Sequence, residues 1–338
     1  MTTDRSLDEA ISSLIDEFGG RFERDYVSSL VRTAIRMSSE DHSTLDMKIA
    51  ASALRELREA FLVFRSHRHE RKVTIFGSAR VQPDDPLFTQ TVALSAELAR
   101  RGWMVVTGAG PGLMEAGMVG AGRARSIGVS IRLPFESSTN PVIAGDEKFV
   151  AMRYFFTRKL MLVKDSQAFV CMPGGYGTLD EMFELLTLTQ TGKGQPVPIV
   201  LMELPGDRFW HAVEGFIADQ LVPRRLVSPE DVVLYRVCND VGEAVGEIEG
   251  FYRSYHSIRF VGRQLVVRLL QRPTDELMDH LRHHYSHLCN SGTFERTGPL
   301  PVEVTDDDVI DLPRITFDFV RRDWAGLRLM IDAINRGV

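Results

Sequence analysis

In the run Pro173-Gly174-Gly175-Tyr176-Gly177-Thr178-Leu179-Asp180-Glu181, four loop residues with little side chain precede a threonine and then an acidic pair. A phosphate held there would meet several backbone amides and the Thr178 hydroxyl together, with the positive end of the following helix behind them. Two more runs have the same character: Gly77-Ser78-Ala79-Arg80 and Gly108-Ala109-Gly110-Pro111-Gly112. Glycine lets a backbone approach a ligand closely and adopt positive φ, so the three turns make an anion cradle that needs no net positive charge. The acidic pair also admits another reading. Thr178-Leu179-Asp180-Glu181 has the spacing of a capping box, in which Glu181 would only close the start of a helix.

The second turn is not a dinucleotide fingerprint, which requires G-x-G-x-x-G and an acidic residue ending the next strand to hold the ribose. Counting from Gly108, the sixth position is Leu113, and the run SIGVSI continues into Arg132 and Leu133. No G-x-x-x-x-G-K-[ST] loop occurs either.

Strands must deliver these turns. From residue 72 to about 250, short runs rich in Val and Ile (VTIFGS, MVVTGA, SIGVSI, AFVCMP, PIVLME and VVLYRV) alternate with longer helical patterns. Such repetition predicts an α/β fold, a Rossmann-like doubly wound parallel sheet covered on both faces, with its ligand site at the carboxyl ends of the strands. Each glycine turn stands at such an end. Residues 1–70 carry helix-period apolar positions, among them Val27, Leu30, Val31 and Ile35, and predict a helical extension used for packing or subunit contact. Residues 251–338 read as a small α+β appendage: a strand (RQLVVRLL), a helix (TDELMDHLRHHYSHLC), a strand (RITFDFV) and a helix (WAGLRLMIDAIN). The expected divisions are therefore 1–70, 71–250 and 251–338.

Composition narrows the partners. With 44% hydrophobic and 25% charged residues in 338, the chain can bury a large core. Forty Lys and Arg against 46 Asp and Glu leave a net charge of -6, which offers no general attraction to nucleic acid or an anionic membrane. Cys171, Cys238 and Cys289 are odd in number and form no CxxC pair, arguing against disulfides and a zinc cluster and for a reducing compartment. The start MTTDRSLDEA lacks the basic and apolar regions of a signal peptide, and no stretch reaches the roughly 18 apolar residues of a membrane span. A cytoplasmic protein is expected.

The run Met152-Arg153-Tyr154-Phe155-Phe156-Thr157-Arg158-Lys159-Leu160-Met161, followed by the third glycine turn, resembles the paired signatures of the LONELY GUY (LOG) family of cytokinin riboside 5′-monophosphate phosphoribohydrolases. The resemblance covers roughly residues 72–225 and also takes in VTIFGSAR, VVTGAGPGLMEAG and SIGVSIRLP. It implies a Rossmann-like fold, at least a dimer, and release of free base and ribose 5-phosphate from a nucleoside 5′-monophosphate, without cofactor or metal. Relatives are often labelled lysine decarboxylases, yet nothing in this sequence marks a pyridoxal phosphate site. The resemblance implies Arg158 and Glu181 as the catalytic pair. The glycine turns themselves offer Gly77, Ser78, Gly108, Gly110, Gly112 and Gly174 as contacts to a phosphate, and the resemblance implies further substrate contacts from Lys159, Gly175, Tyr176, Gly177, Thr178, Thr187 and Glu136. Plant members usually carry Met-His-x-Arg-Lys where this chain has Phe155-Phe156-Thr157-Arg158-Lys159, so AMP or another purine nucleotide is as plausible a substrate as a prenylated one.

Breaking an N-glycosidic bond develops positive charge on the sugar and negative charge on the departing base, and Glu181 and Arg158 supply the complementary signs. A rival reading from another class is a non-catalytic nucleotide sensor or carrier of the same fold. Elsewhere His280, His283, His284 and His287 read as a solvated helix face, Cys171 as a packed residue, and Arg253, Arg259, Arg263 and Arg268 as a solvated strand surface or subunit contact.

Overall fold

A computed structural model describes residues 2–18, 23–132 and 140–337. The chain divides into two compact units, residues 1–59 and 60–338. In the first, the helices Thr2–Phe18 and Arg24–Ser39 are joined by Arg24–Asp16 and Arg32–Asp8 ion pairs, each at 2.5 Å. No helix among the described residues is long and apolar enough to cross a membrane.

The larger unit holds two sheets. The first contains β1 (Lys72–Phe76), β2 (Met104–Thr107), β3 (Ser126–Ile131), β4 (Phe149–Met152), β5 (Ala168–Cys171), β6 (Ile199–Met202) and β7 (Arg236–Cys238), paired in parallel in the order β4-β3-β2-β1-β5-β6-β7. All residues of β1, β2, β5 and β6 are buried, which explains why these strands read as continuous apolar runs and not as alternations. From β1 the chain steps outward through β2, β3 and β4, then returns to place β5 on the opposite side of β1. That reversal opens a crevice at the carboxyl ends of β1 and β5, where the first and third glycine turns begin.

The second sheet is antiparallel: β8 (Tyr255–Val261), β9 (Gln264–Leu269), β10 (Cys289–Thr297) and β11 (Arg314–Phe319), in the order β10-β11-β9-β8. One apolar cluster runs through both sheets, from Val73, Val170 and Val200 to Leu265, Phe317 and Ile331. Polar contacts reinforce it. The Tyr252 hydroxyl donates to the Gln167 carbonyl at 2.6 Å, and Asn335 Oδ1 accepts from the Ser254 and Tyr255 amides at 2.9 Å.

Three strands escape the sequence pattern. β4 is short and only half-buried, β8 interleaves His256 and Arg259 with its apolar positions, and β10 is mostly exposed. VVLYRV contributes only its end to a strand, because Pro229–Leu234 forms a 3-10 turn whose entry is fixed by the Ser228 amide donating to Asp231 at 2.9 Å.

Arg268 is not on a solvated surface. It is buried in β9, donating to Glu303 at 2.7 and 3.0 Å and to Asp308 at 2.5 Å, while the buried Arg314 donates to the other Glu303 oxygen at 3.1 Å. Burial opposes the Glu303 charge, but the Leu300 amide and the two arginines hold its carboxyl below the ordinary range. Arg259 pairs with Asp306 and Asp308, and Arg263 with Asp318, so this segment's cations are answered internally. Removing the shared carboxylate takes an ion-pair partner from two buried guanidinium groups at once, leaving Arg268 with Asp308 and Arg314 with backbone carbonyls. Glu303→Ala is expected to lower unfolding free energy by about 3–5 kcal/mol in urea denaturation.

Candidate active site

Ser78 ties the glycine turns together. Its amide donates to the Pro173 carbonyl in the third turn at 3.2 Å, and its carbonyl accepts from Leu113, just past the second turn, at 2.9 Å. Close approach demands glycine at two of the joints. Gly112 has φ +66°, and a Cβ there would lie 2.4 Å from the Ser78 carbonyl oxygen. At Gly174 a Cβ would lie 2.2 Å from Thr178 Oγ1 and 3.0 Å from the Ser78 amide. Gly175 and Gly177 border open space, so their backbone stays accessible.

The helix Tyr176–Gln190 starts directly from Gly175 with no side chain capping it. The capping-box alternative is therefore not adopted: Thr178 and Glu181 both lie inside the helix, and Glu181 faces the cavity. This cavity, of about 680 Å³, is nucleotide-sized. Around it stand Gly77, Ser78, Gly108, Gly175, Tyr176, Gly177 and Thr178 together with Arg158 and Glu181.

Arg158 comes from the helix Phe155–Val163. Its Nε donates to the Val129 carbonyl at 3.0 Å, and its guanidinium lies directly on Gly108, where a Cβ would fall 2.0 Å from Nη2. Burial pulls its pKa below that of ordinary arginine, opposed by the Glu181 charge. Burial likewise pushes Glu181 up to about 7, with Glu184 and Asp180 adding to the rise and Lys159 and Arg158 restraining it. Glu181 Oε2 has no hydrogen-bond partner among the described residues, since the Lys159 ammonium stands 3.6 Å away.

Lys159 itself turns away from this cavity. Its ammonium meets Asp180 at 2.8 Å and Glu184 at 2.5 Å. Although burial opposes its charge, these carboxylates hold its pKa above that of an ordinary lysine. Gly110 packs against Met114, whose Cε would lie 2.7 Å from an added Cβ. Thr187 donates to the Phe183 carbonyl at 2.8 Å and borders a separate small cleft, and Glu136 lies outside the described residues. Sequence reading missed Arg80, Met114, Phe155 and Asp180, which also line the cavity. Arg80 had a signal as the cation ending the first glycine turn, Asp180 as half of the acidic pair and Phe155 as part of the run that departs from the plant pattern, whereas Met114 had none. Cys171 is buried under the third turn, and burial raises its thiol pKa well above the ordinary value.

A family model described as "Possible lysine decarboxylase" matches residues 112–248. The cytokinin riboside 5'-monophosphate phosphoribohydrolase LOG1 of Arabidopsis thaliana is 32% identical over 142 residues, 41% of this chain and 63% of that protein. The probable enzyme of the same name LOG6, also from Arabidopsis thaliana, is 32% identical over 142 residues, 41% of this chain and 67% of that protein. The chain belongs to the LOG family. It spans less than two thirds of the length of LOG1. Among solved structures, TM1055 is 24% identical, covering 53% of this chain and 98% of its own, with a TM-score of 0.38. The molybdenum cofactor carrier protein of Chlamydomonas reinhardtii is 18% identical, covering 54% and 97%, with a TM-score of 0.36.

The decarboxylase description does not fit this LOG-family site. A lysine that forms a Schiff base must be deprotonated with ease, whereas among the described residues no lysine lines the cavity and nearby Lys159 is held charged by carboxylates.

Two glycine substitutions should separate packing from function. In Gly108→Ala the clash falls on the mobile end of Arg158, so unfolding is expected near wild type while nucleotide affinity drops. Gly112→Ala forces a Cβ into backbone at positive φ and should cost on the order of 1–3 kcal/mol of stability. Thermal unfolding and AMP titration of both proteins check this pair.

Proposed function

We propose that this LOG-family protein hydrolyses the N-glycosidic bond of a purine nucleoside 5′-monophosphate to free base and ribose 5-phosphate. The observation that carries the reading is Arg158 and Glu181, opposite in charge, facing one cavity walled by the three glycine turns. The turn amides and the Thr178 hydroxyl hold the 5′-phosphate, with Arg80 at the same cavity. Fixing the phosphate uses remote binding energy to orient the sugar.

The Glu181 carboxylate then lies by the ribose, stabilises the oxocarbenium-like centre and takes a proton from the attacking water. The C1′–N bond breaks, its electron pair leaves with the base, hydroxide oxygen bonds C1′, and the base takes a proton from solvent water while the proton held by Glu181 returns to solvent, restoring the carboxylate. Arg158 fixes the nucleotide and favours departure of the base. Phe155 and Tyr176, both largely exposed on the cavity, offer ring faces to a planar purine in AMP or a cytokinin nucleotide. Residues 71–250 form the catalytic part in this reading, with residues 1–70 and 251–338 as flanking divisions. Exposed Phe183 suits contact with a second copy, as in a homodimer or larger homo-oligomer, and three free cysteines suit the cytoplasm.

Purified protein incubated with AMP should release adenine and ribose 5-phosphate, and adenosine should be a far poorer substrate. Glu181→Gln should bind AMP about as well while turnover falls by about 10²–10⁴-fold. Nucleotide binding without product, in wild-type protein, would mean a sensor or carrier.

The pH dependence has a defined sign. Glu181 acts as carboxylate and titrates at about 7, so kcat/KM should climb with pH below that value and level off above it. A profile flat between pH 5 and 8 in the wild type would remove Glu181 from the base role.

A further inference from the structure

The helices Phe155–Val163 and Tyr176–Gln190 separate the candidate active site from a second, larger cavity of about 780 Å³. Phe155, Arg158 and Leu162 face the first cavity, whereas Phe156, Lys159, Leu160 and Val163 face the second. On the other helix Thr178 and Glu181 face the first, and Glu184, Leu185 and Leu188 the second. The remaining walls come from the start of β8, the segment before β1 and the loop after residue 192.

This second cavity is electropositive. Arg68, Arg71, Lys164 and Lys193 line it together with Lys159 and the imidazoles of His69 and His256, against Glu70 and Glu184 among the described residues, with Lys164 meeting Asp165 at 3.0 Å. Both carboxylates are engaged, Glu70 facing His67 at 3.6 Å and Glu184 meeting Lys159 at 2.5 Å. Among the described residues no carboxylate pairs with Arg68, Arg71 or Lys193. Two of these cations are held in place. The Arg71 guanidinium lies on the Tyr252 ring, 4.4 Å from its centre. Lys193 follows Gly192 (φ +68°), whose Cα abuts Trp324, and the Lys193 and Gly194 amides both donate to the Leu188 carbonyl at 2.9 Å. Burial, with Arg71 and Arg268 adding to it, keeps His256 below its ordinary pKa against the pull of Asp308.

Lys159 links the two cavities without lining the first. Its stem lines the second, and its ammonium stands 3.6 Å from Glu181, which lines the first. We propose that the second cavity binds a small phosphorylated anion, which competes with Glu181 for the Lys159 ammonium. An anion there draws the lysine off Glu181 and leaves that carboxylate less stabilised, so its ionisation moves to higher pH. The coupling to catalysis rests on the reaction proposed above; the binding does not.

Pyrophosphate is a suitable probe, titrated calorimetrically into the full-chain Glu181→Gln protein, which binds AMP without turning it over, with AMP at saturation so that the nucleotide's phosphate site is occupied. Each further substitution in the titration is added to that protein. Binding is expected, and it should weaken as salt rises. The Arg68→Ala/Lys193→Ala protein, altered further only at exposed positions of the second cavity, should bind about tenfold more weakly or worse. Arg80→Ala, at the nucleotide cavity, should bind pyrophosphate as Glu181→Gln alone does. No binding in the presence of AMP, or binding unchanged in Arg68→Ala/Lys193→Ala, would overturn the proposal. With Glu181 intact, pyrophosphate should also move the midpoint of the AMP pH-rate profile upward, and the double variant should show no such movement. A protein that binds pyrophosphate as described but never hydrolyses AMP would refute the reaction and leave the anion site standing.

Discussion

The two hydrogen bonds made by the Ser78 backbone, one to each of the other glycine turns, are the constraint on which the candidate site depends. Parallel strands can deliver loops to one edge of a sheet, but they do not fix the spacing between those loops. Here the Ser78 amide and carbonyl do so, and the approach is possible because Gly112 and Gly174 bring no Cβ to the contact. Backbone amides become a recognition surface only when they converge. The joints at Ser78 make the turns after β1, β2 and β5 one surface.

Charge on that surface is arranged with equal economy. Arg158 reaches the cavity across Gly108 and is steadied by the Val129 carbonyl, so its position depends on a strand, a turn and a helix at once. Glu181 is partly withdrawn from water with one oxygen lacking a hydrogen-bond partner, which raises its pKa toward neutrality. Lys159 then restrains the rise from outside the cavity, and Asp180 and Glu184 restrain Lys159. The result is a carboxylate poised near neutral pH, the condition under which one group both accepts a proton and stabilises positive charge.

The second sheet is more than an attachment. Its apolar face continues the core of the first sheet, and the Tyr252–Gln167 contact anchors it beside the start of β5. The same junction brings Tyr252 and His256 to the cavity that Lys159 shares with the helices of the candidate active site. The buried Arg268–Glu303–Arg314 group fixes β9 and β11 to the segment between β10 and β11.

The sequence by itself determined the parallel sheet and the places where its glycine turns fall, because strands buried on both faces must be apolar throughout and glycine marks backbone that other residues cannot form. It also marked Arg158 and Glu181, through their spacing and the family they resemble. Edge strands such as β4 and β10 were illegible, since exposed strands lack the apolar signal that burial imposes. Whether Glu181 capped a helix or lined a cavity was undecidable from a four-residue spacing that serves both, and only the helix start at Gly175 decided it. The direction of Lys159, the burial of Arg268 and the inclusion of Arg80 and Phe155 in the cavity rest on contacts between segments far apart in the chain. Local periodicity carries no information about such contacts, and the tertiary structure alone supplied them.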